Sequence, residues 1–531
     1  ALRIQMQEIL EKAFKGTVSA HNIEFGDSPL ARLHVHVRTK PEKSISFNAR
    51  DIEQQLINVA RGWADQLHDA LVSRFGEEKG IQLLDHYQDA FAVGYRDQFD
   101  TDSAASDIAI AEEAIENDSI GMRLYRPDDM PGHRLRFKVY NLGEPIPLSD
   151  VLPMLEDMGL KVIDERPHRI RPDAKSHNLI MIHDFGLEAR SGADINISDI
   201  EQNFKELFSR TWAGTVESDG FSALVLESGL KWREVVALRA FCKYLLQAKI
   251  PFSQHYMEQT LVKNKSITRM IVNLFSLKFD PSLQKSANAK TVTLRQKIME
   301  SLDAVVSADE DRILRRFFNL VNSILRTNFY QPAEDGEPKT YVSCKIDSRN
   351  IDDLPLPKPW REISVYSPKV EGIHLRFGSV ARGGLRWSDR REDFRTEVLG
   401  LVKAQQVKNA VIVPVGSKGG FVVKQPPAGG DREAFINEGI ACYKMFISGL
   451  LDITDNLNGN KVIPPKSVVR HDDDDPYLVV AADKGTATFS DIANGVSIDY
   501  GYWLGDAFAS GGSVGYDHKK MGITAKGAWG C

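Results

Sequence analysis

The sequence is poor in cysteine. Its 531 residues include four, Cys242, Cys344, Cys442 and Cys531, and no two of them lie close together. This spacing excludes a C-x-x-C redox or zinc motif and a dense disulfide framework. Few and scattered cysteines are typical of proteins in a reducing compartment, so we predict a cytoplasmic protein.

The sequence also lacks an excess of charge of one sign and any long hydrophobic run. It contains 67 basic and 73 acidic residues, a net charge of −6, which argues against a nucleic-acid-binding protein. No apolar stretch approaches the length needed to cross a bilayer, so we predict no membrane span. The first 16 residues include Glu8 and Glu11 and lack the apolar segment of a secretory signal.

The two ends of the sequence suggest a piece of a longer polypeptide. The chain does not begin with Met, and it stops at Cys531 after a stretch rich in glycine and alanine. Its length is too great for one ordinary domain and suggests about three to four. We therefore expect a multidomain fragment that combines α/β and α+β folds.

Hydrophobic patterns divide the chain into four predicted domains, which cover residues 1–118, 119–218, 219–330 and 331–531. In the first, Leu33, Val35 and Val37 alternate with polar residues as in a strand, and helical spacing predicts one long helix over residues 48–75. The third is predicted to be helical throughout, with helices over residues 232–248, 254–279, 293–306 and 310–327.

The second predicted domain alternates strands and helices. Leu135, Phe137 and Val139 alternate with basic residues as in a half-buried strand, while Ser149 and Gly159 stand where a helix begins and ends. The order strand, helix, strand, strand, helix is typical of a small split β-α-β sandwich. This region resembles an ACT-type regulatory domain, which implies a βαββαβ module and an amino-acid effector. We expect the first domain to be ACT-like as well.

The densest pattern of charged residues lies in the fourth predicted domain. Arg382, Lys408 and Lys418 each lie beside glycines or at the end of a predicted element, and Asp483 ends an apolar strand. Glycines allow a backbone to approach a ligand closely, so this set of cations suits a substrate with two carboxylates. A lysine in an apolar pocket can act near neutral pH, and an aspartate can exchange a proton with the substrate. The alternative is that all four are solvated ends of helices and strands.

Four short motifs carry these residues. They are Arg382-Gly383-Gly384-Leu385-Arg386-Trp387, Val407-Lys408-Asn409, Gly416-Ser417-Lys418-Gly419-Gly420 and Ala481-Ala482-Asp483. In content and order they resemble the motifs of the glutamate dehydrogenases, and with the upstream regions the chain is most similar to the large bacterial NAD-specific glutamate dehydrogenases. Arg382 stands where the smaller enzymes have lysine, and Val415 stands where they have a further glycine.

The resemblance implies an NAD-dependent oxidoreductase of amino-acid catabolism that converts L-glutamate to 2-oxoglutarate and ammonium. It implies that Arg382 binds the γ-carboxylate, that Lys408 binds the α-carboxylate, and that residues 331–531 form a glutamate dehydrogenase-type α/β substrate domain. It further implies that Lys418 is the catalytic lysine, that Asp483 exchanges protons with the amino group, and that Thr524 lies near the nicotinamide. A homo-oligomer under allosteric control is expected.

The chain lacks a G-x-G-x-x-G motif, the usual sign of a Rossmann nucleotide site. In the family that the chain resembles, the Rossmann domain begins where this sequence ends. We therefore expect NAD to bind mainly outside this chain, and the chain alone to be inactive.

Two further features have competing interpretations. The segment Gly416–Gly420 surrounds a lysine with glycines but lacks the Walker pattern, so it predicts a sharp turn rather than a phosphate loop. The run His471–Asp475 could suggest a metal site, but four consecutive acids cannot all face one ion, so we predict a solvated loop and no metal. A second function also stays open: an amino-acid-sensing ACT-type fragment without catalysis of its own.

Overall fold

The computed structural model describes residues 2–25, 31–40, 47–60, 62–172, 179–284, 287–408, 415–486, 488–514, 521–522, 526 and 529. It is a mixed α/β structure, as expected, with two compact units. The first comprises residues 1–148 and 162–187, and the second residues 149–161 and 188–531. Within the described ranges, no helix combines the length and the apolar composition needed to cross a membrane. The division into four domains stays a prediction.

The first unit opens with helices around a two-stranded sheet. Its elements up to residue 142 are α1 (Leu2–Phe14), β1 (Thr17–Phe25), β2 (Ala31–Arg38), α2 (Ala49–Ala60), α3 (Trp63–Phe75), α4 (Glu77–Tyr87), α5 (Val93–Arg96), α6 (Thr101–Glu116), β3 (Gly121–Tyr125) and β4 (Arg134–Leu142). Strands β1 and β2 pair antiparallel. Between residues 3 and 59, none of the side chains that the structure describes is buried.

The single helix expected over residues 48–75 is wrong, because two helices occupy this stretch. α2 ends at Ala60 and α3 begins at Trp63. Between them Gly62 is extended, with φ −63° and ψ 155°. Glycine has a low helix propensity, and here it lies between two helices although the apolar spacing continues on both sides of it.

A four-stranded sheet follows in the chain. After α7 (Leu148–Asp157) come β5 (Leu160–Ile170) and β6 (Ile180–Ala189), and the sheet has the order β3-β4-β6-β5. Strands β3 and β4 pair antiparallel. The four strands expected of the ACT-like region are therefore confirmed. The core of this unit is formed by apolar side chains that include Leu67, Leu71, Tyr87, Ile108, Tyr140, Ile170 and Ile182.

The second unit continues with helices and then a mixed sheet. Its helices before the sheet are α8 (Ile197–Trp212), α9 (Ala223–Ser228), α10 (Trp232–Gln247), α11 (Gln254–Lys263), α12 (Lys265–Phe279), α13 (Ala287–Asp303) and α14 (Ala308–Ser323). The expectation of helix throughout residues 219–330 is wrong in two places. Asn264, with φ −98° and ψ 45°, separates α11 from α12, and the chain leaves α14 to enter β7 (Ile324–Thr327).

The mixed sheet of the second unit has seven strands. The remaining elements are β8 (Val342–Ile346), β9 (Arg361–Tyr366), β10 (Val370–Arg376), β11 (Ala381–Arg382), β12 (Leu385–Trp387), α15 (Phe394–Lys408), β13 (Val415–Val423), α16 (Arg432–Leu451), β14 (Asn456–Asn458), β15 (Lys461–Ile463), β16 (Val480–Ala481), α17 (Ser490–Asp499) and β17 (Ala509–Ser510). The strand order is β11-β13-β10-β9-β8-β7, and β12 also pairs with β13. Its core contains Val370, Leu385, Phe421, Phe446, Leu450, Val480 and Phe508.

Candidate active site

The glycine-rich segment is a strand and not a turn. Residues Gly416–Gly420 lie inside β13, which pairs antiparallel with β10 and parallel with β11 and β12. A Cβ atom at Gly419 would lie 2.4 Å from Leu385 Cδ2 and 3.0 Å from His374 Cδ2. The predicted turn is therefore wrong, because these glycines provide room between strands rather than a reversal of the chain. A segment covered in this way does not fit a nucleotide phosphate. Residues 410–414 of the strand predicted before it lie outside the described residues.

Glycines also bring the Arg382–Trp387 motif onto β13. A Cβ atom at Gly383 would lie 1.5 Å from the carbonyl oxygen of Ser417, and one at Gly384 would lie 3.1 Å from the carbonyl oxygen of Ala482. The Gly419 N–H donates to the carbonyl of Gly384 over 3.1 Å. The two glycines thus seat β11 and β12 between β13 on one side and residues 481–483 on the other, so that three of the four motifs meet.

Lys418 and Asp483 are in direct contact where these motifs meet. The Lys418 Nζ pairs with Asp483 Oδ2, and the side chains are 11% and 20% exposed. The backbone N–H of Asp483 donates to Thr486 Oγ1 over 2.9 Å, and that hydroxyl donates to the carbonyl of Leu385 over 2.8 Å. Burial raises the pKa of Asp483, but the hydrogen bond and charge of Lys418, with Arg386, outweigh it, so the pKa lies below its usual value.

Arg386 adds a second cation beside Asp483. Its Nε lies 3.5 Å from Asp483 Oδ2, and its Nη1 donates to Glu397 Oε1 over 2.7 Å. Glu397 Oε2 in turn accepts a hydrogen bond of 2.6 Å from Ser388 Oγ. We call Lys418, Asp483, Arg386 and Glu397 the site row, in which positive and negative side chains alternate. Sequence reasoning missed Arg386 and Glu397, although Arg386 belongs to the motif that carries Arg382.

The other predicted site residues are placed only in part. Arg382 is exposed, and its backbone pairs in parallel with Gly416, two residues before Lys418. Lys408 is the last residue of α15, and its side chain lies outside the described part of the structure. Thr524 lies outside the described residues altogether. The structure therefore brings Lys418 and Asp483 together and puts the backbone of Arg382 on the strand beside them.

The acidic run His471–Asp475 is not a solvated loop at two of its positions. The side chains of Asp472 and Asp475 are 6% and 5% exposed, and they pair with cations of the sheet. The ion pairs are Arg326–Asp472 at 2.5 Å, Lys345–Asp472 at 2.5 Å, Lys345–Asp475 at 2.7 Å and Arg376–Asp475. We call these five residues the buried ion-pair row.

The prediction of a solvated loop is wrong here because β7, β8 and β10 each place one cation in the interior, and buried cations need counter-charges. Burial raises the pKa of Asp475, but the charges and hydrogen bonds of Arg376 and Lys345 lower it by more than that. The resulting pKa is about 2. Among the described residues, no group of three or more His, Cys, Asp or Glu is arranged to hold a metal ion.

Comparison with known proteins assigns this architecture. Residues 297–531 match the family model "Bacterial NAD-glutamate dehydrogenase, catalytic domain". Upstream segments match four further glutamate dehydrogenase models: the ACT2 domain at residues 1–64, helical motif 2 at 70–114, the ACT3 domain at 119–200 and helical motif 3 at 216–281. The chain belongs to the family of bacterial NAD-specific glutamate dehydrogenases. All five site residues predicted from sequence fall within the catalytic-domain match.

Relatives named NAD-specific glutamate dehydrogenase align with nearly the whole chain. The protein of Halomonas elongata is 49% identical over 528 residues, which are 99% of this chain and 32% of the relative. The protein of Pseudomonas aeruginosa is 48% identical over 530 residues, 99% of this chain and 33% of the relative. That of Mycobacterium tuberculosis is 45% identical over 557 residues, 100% of this chain and 34% of the relative. The chain thus spans about a third of the length of these bacterial NAD-specific glutamate dehydrogenases.

Proposed function

We propose that the chain carries the glutamate-binding part of an enzyme that oxidatively deaminates L-glutamate to 2-oxoglutarate and ammonium, with NAD as hydride acceptor. The observation that supports this most is the contact between Lys418 and Asp483, where three separate motifs meet within the catalytic-domain match.

The four charged residues predicted from sequence have separate roles towards the substrate. In this proposal Arg382 binds the γ-carboxylate of glutamate and Lys408 the α-carboxylate. A guanidinium suits the first task because it offers a carboxylate two parallel donors. The proposal also assigns Thr524 to the nicotinamide end of the site.

Lys418 and Asp483 act on the carbon that is oxidised. The Asp483 carboxylate first takes a proton from the substrate ammonium, and loss of hydride from Cα then leaves an iminium. Water attacks this carbon as the Lys418 amine accepts one of its protons, which gives a carbinolamine. The amino group of the carbinolamine takes the proton back from Asp483, and as the C–N bond breaks the hydroxyl proton passes to the Asp483 carboxylate and ammonia leaves. The protons held by Lys418 and Asp483 finally pass to ammonia and to solvent. Because Lys418 and Asp483 are in contact, a proton can pass between them during the cycle.

The test uses the full-length protein and follows glutamate-dependent reduction of NAD. Lys418→Ala should lower kcat by about 10² to 10⁴, because it removes a group that acts on charge developing in the transition state. Arg382→Ala and Lys408→Ala should instead raise KM, because their carboxylate contacts exist in the ground state too. The exposed Lys461 in β15 provides a control, Lys461→Ala, that should change neither constant. A Lys418→Ala enzyme with normal kcat and weaker glutamate binding would contradict the assigned role.

A cavity in the first unit supports a second function, the binding of an amino-acid effector. The cavity has a volume of about 640 Å³, and Glu165, His168, Arg169 and Met181 are among the residues that line it. His168 is nine-tenths buried, and its Nε2 has no hydrogen-bond partner among the described residues. Burial lowers the pKa of His168 to about 4, so the ring is neutral at pH 7. The carboxylate of Glu165 suits the ammonium group of an amino acid, and the guanidinium of Arg169 suits its carboxylate. Apolar lining residues such as Met181 suit its side chain.

Calorimetry with the chain and each of the standard amino acids tests this second function. Binding that is lost in Glu165→Gln and Arg169→Gln but kept in Lys408→Ala would support it. Binding of glutamate alone, lost in Lys408→Ala and kept in the two cavity variants, would assign the heat to the candidate active site instead.

A further inference from the structure

We infer that Arg386 is a positioning residue of the active site: it holds the carboxylate of Asp483 against Lys418 and is itself held by Glu397. The inference rests on the proposed function, because it assigns a partner to the proton-exchanging Asp483. Three observations carry it: the alternation of charge along the site row, the fixed orientation of Arg386, and the donor that this side chain leaves unused.

The orientation of Arg386 is fixed from behind. Its Nη1 is bound by Glu397 Oε1 at 2.7 Å, and Glu397 is held at its other oxygen by Ser388 at 2.6 Å. Glu397 lies in the first turn of α15, the helix that ends at Lys408. The guanidinium therefore joins the start of that helix to the proton-exchanging carboxylate.

The unused donor points at Asp483. The Arg386 Nε lies 3.5 Å from Asp483 Oδ2 and, within the part of the chain that the structure describes, has no hydrogen-bond partner. Donors in the interior are normally paired, and several other arginine donors of the described residues are also unpaired; this N–H is distinguished by the proton-exchanging carboxylate that lies beside it. A shift of a few tenths of an ångström would convert the contact into a charge-assisted hydrogen bond.

Asp483 is faced by groups from three elements. Lys418 approaches from β13, Arg386 approaches from β12, and the backbone N–H of Lys484 from its own loop also lowers the pKa. Glu397 of α15 acts only through Arg386. Loss of the guanidinium would remove one of two cations that favour the ionised carboxylate, so the pKa of Asp483 would rise.

The pH profile of kcat/KM for glutamate in the full-length enzyme provides the test. In Arg386→Gln the acidic limb should move upward by about one pH unit, since an opposite charge at this range shifts a carboxyl by one unit or more. Arg386→Lys keeps the charge and should restore much of the limb. Glu397→Gln should lower kcat without moving the limb upward, because it frees the guanidinium but leaves its charge.

A purely structural role gives a different result. If Arg386→Gln and Glu397→Gln both lose activity and keep the wild-type profile, or if Arg386→Lys is no better than Arg386→Gln, the inference is overturned. If Arg386→Gln does not fold, Arg386→Lys provides the test instead. Its acidic limb should lie between the wild-type position and a position about one pH unit higher.

A readout without turnover separates this inference from the proposed function. Carbodiimide labels a carboxyl in its protonated form, and peptide mass spectrometry reports the labelling of Asp483 at each pH. In Arg386→Gln, half-maximal labelling should occur at a pH about one unit higher than in wild type. Unchanged labelling overturns the inference, even in an active enzyme. If the pH of half-maximal labelling shifts in Arg386→Gln but the wild-type protein oxidises no glutamate, the contact between Arg386 and Asp483 is supported and the proposed function is contradicted.

Discussion

The buried ion-pair row and the site row both lie on the sheet of the second unit, and they differ in how deeply their charges are buried. In the buried ion-pair row the side chains are 0–6% exposed, and each aspartate carboxylate is shared by two cations. In the site row, Lys418, Asp483 and Arg386 are 11–20% exposed, and one donor of Arg386 is unused. The Nε of Arg376 in the buried ion-pair row also has no hydrogen-bond partner among the described residues, so an unused donor does not distinguish the rows. Shared charges in a dry interior fix a structure, whereas charges with access to water can be engaged by a substrate.

The largest effect should follow from breaking the buried ion-pair row. Asp475→Asn leaves Arg376 and Lys345 buried beside a neutral amide, and we expect the free energy of unfolding to fall by about 3–5 kcal/mol. Urea titration of the chain measures this. Asp474, with a side chain that is 55% exposed, is the matched control. Asp474→Asn should cost less than about 1 kcal/mol, and equal losses in the two variants would contradict the contrast.

Acid should weaken the buried ion-pair row in a defined pH window. The pKa of Asp475 is about 2 in the folded chain and about 3.9 when unfolded. Between these values the unfolded state binds more protons, so stability falls as the pH is lowered from about 4 to 2, by about 2 kcal/mol. Asp475→Asn should lose this part of the pH dependence. An identical slope in the variant would assign it to other carboxyls.

The next largest loss of stability should come from steric overlap at the glycines that let the strands of the site row lie close together. A methyl group at Gly383 would overlap the Ser417 carbonyl, so Gly383→Ala should destabilise the chain by about 1–3 kcal/mol. Gly400 in α15 has open space around its Cβ position. Gly400→Ala should therefore stabilise the helix by about 0.5–1 kcal/mol. Thermal melts should show a lower melting temperature for Gly383→Ala and a higher one for Gly400→Ala. Equal decreases in the two variants would contradict the steric explanation.

The smallest change in stability should come from the site row. Lys418→Met removes a cation whose partner Asp483 is partly exposed and can be hydrated instead, so we expect a change of about 1 kcal/mol or less. Lys345→Met, its counterpart in the buried ion-pair row, should cost several times more. If Lys418→Met is as destabilising as Lys345→Met, the site row is structural after all.

The sequence predicts this site better than it predicts the elements that carry it. The contact between Lys418 and Asp483 could be expected because short motifs preserve the residues that chemistry needs. The helix breaks at Gly62 and Asn264 could not, because apolar spacing continues across both and tertiary packing decides where a helix ends. The acidic run was misjudged because its partners, such as Lys345, lie far away in sequence on separate strands.

The glycines of β13 show a further limit of sequence reasoning. Glycine permits positive φ and also removes a side chain, and these two uses look the same in a sequence. Gly419 serves the second use, since its Cβ would meet Leu385 within an extended strand. A turn was therefore predicted where two strands pass too close together for any side chain.

That close approach changes how the motif should behave under selection. In a saturation library scored only for folding, Gly383 and Gly419 should return glycine almost alone, while Arg386 and Lys418 should accept many residues. A library scored for growth on glutamate should restrict all four. Glycines that recur at these positions among relatives thus report how tightly strands are packed, and they carry no information about which substrate the neighbouring cations bind.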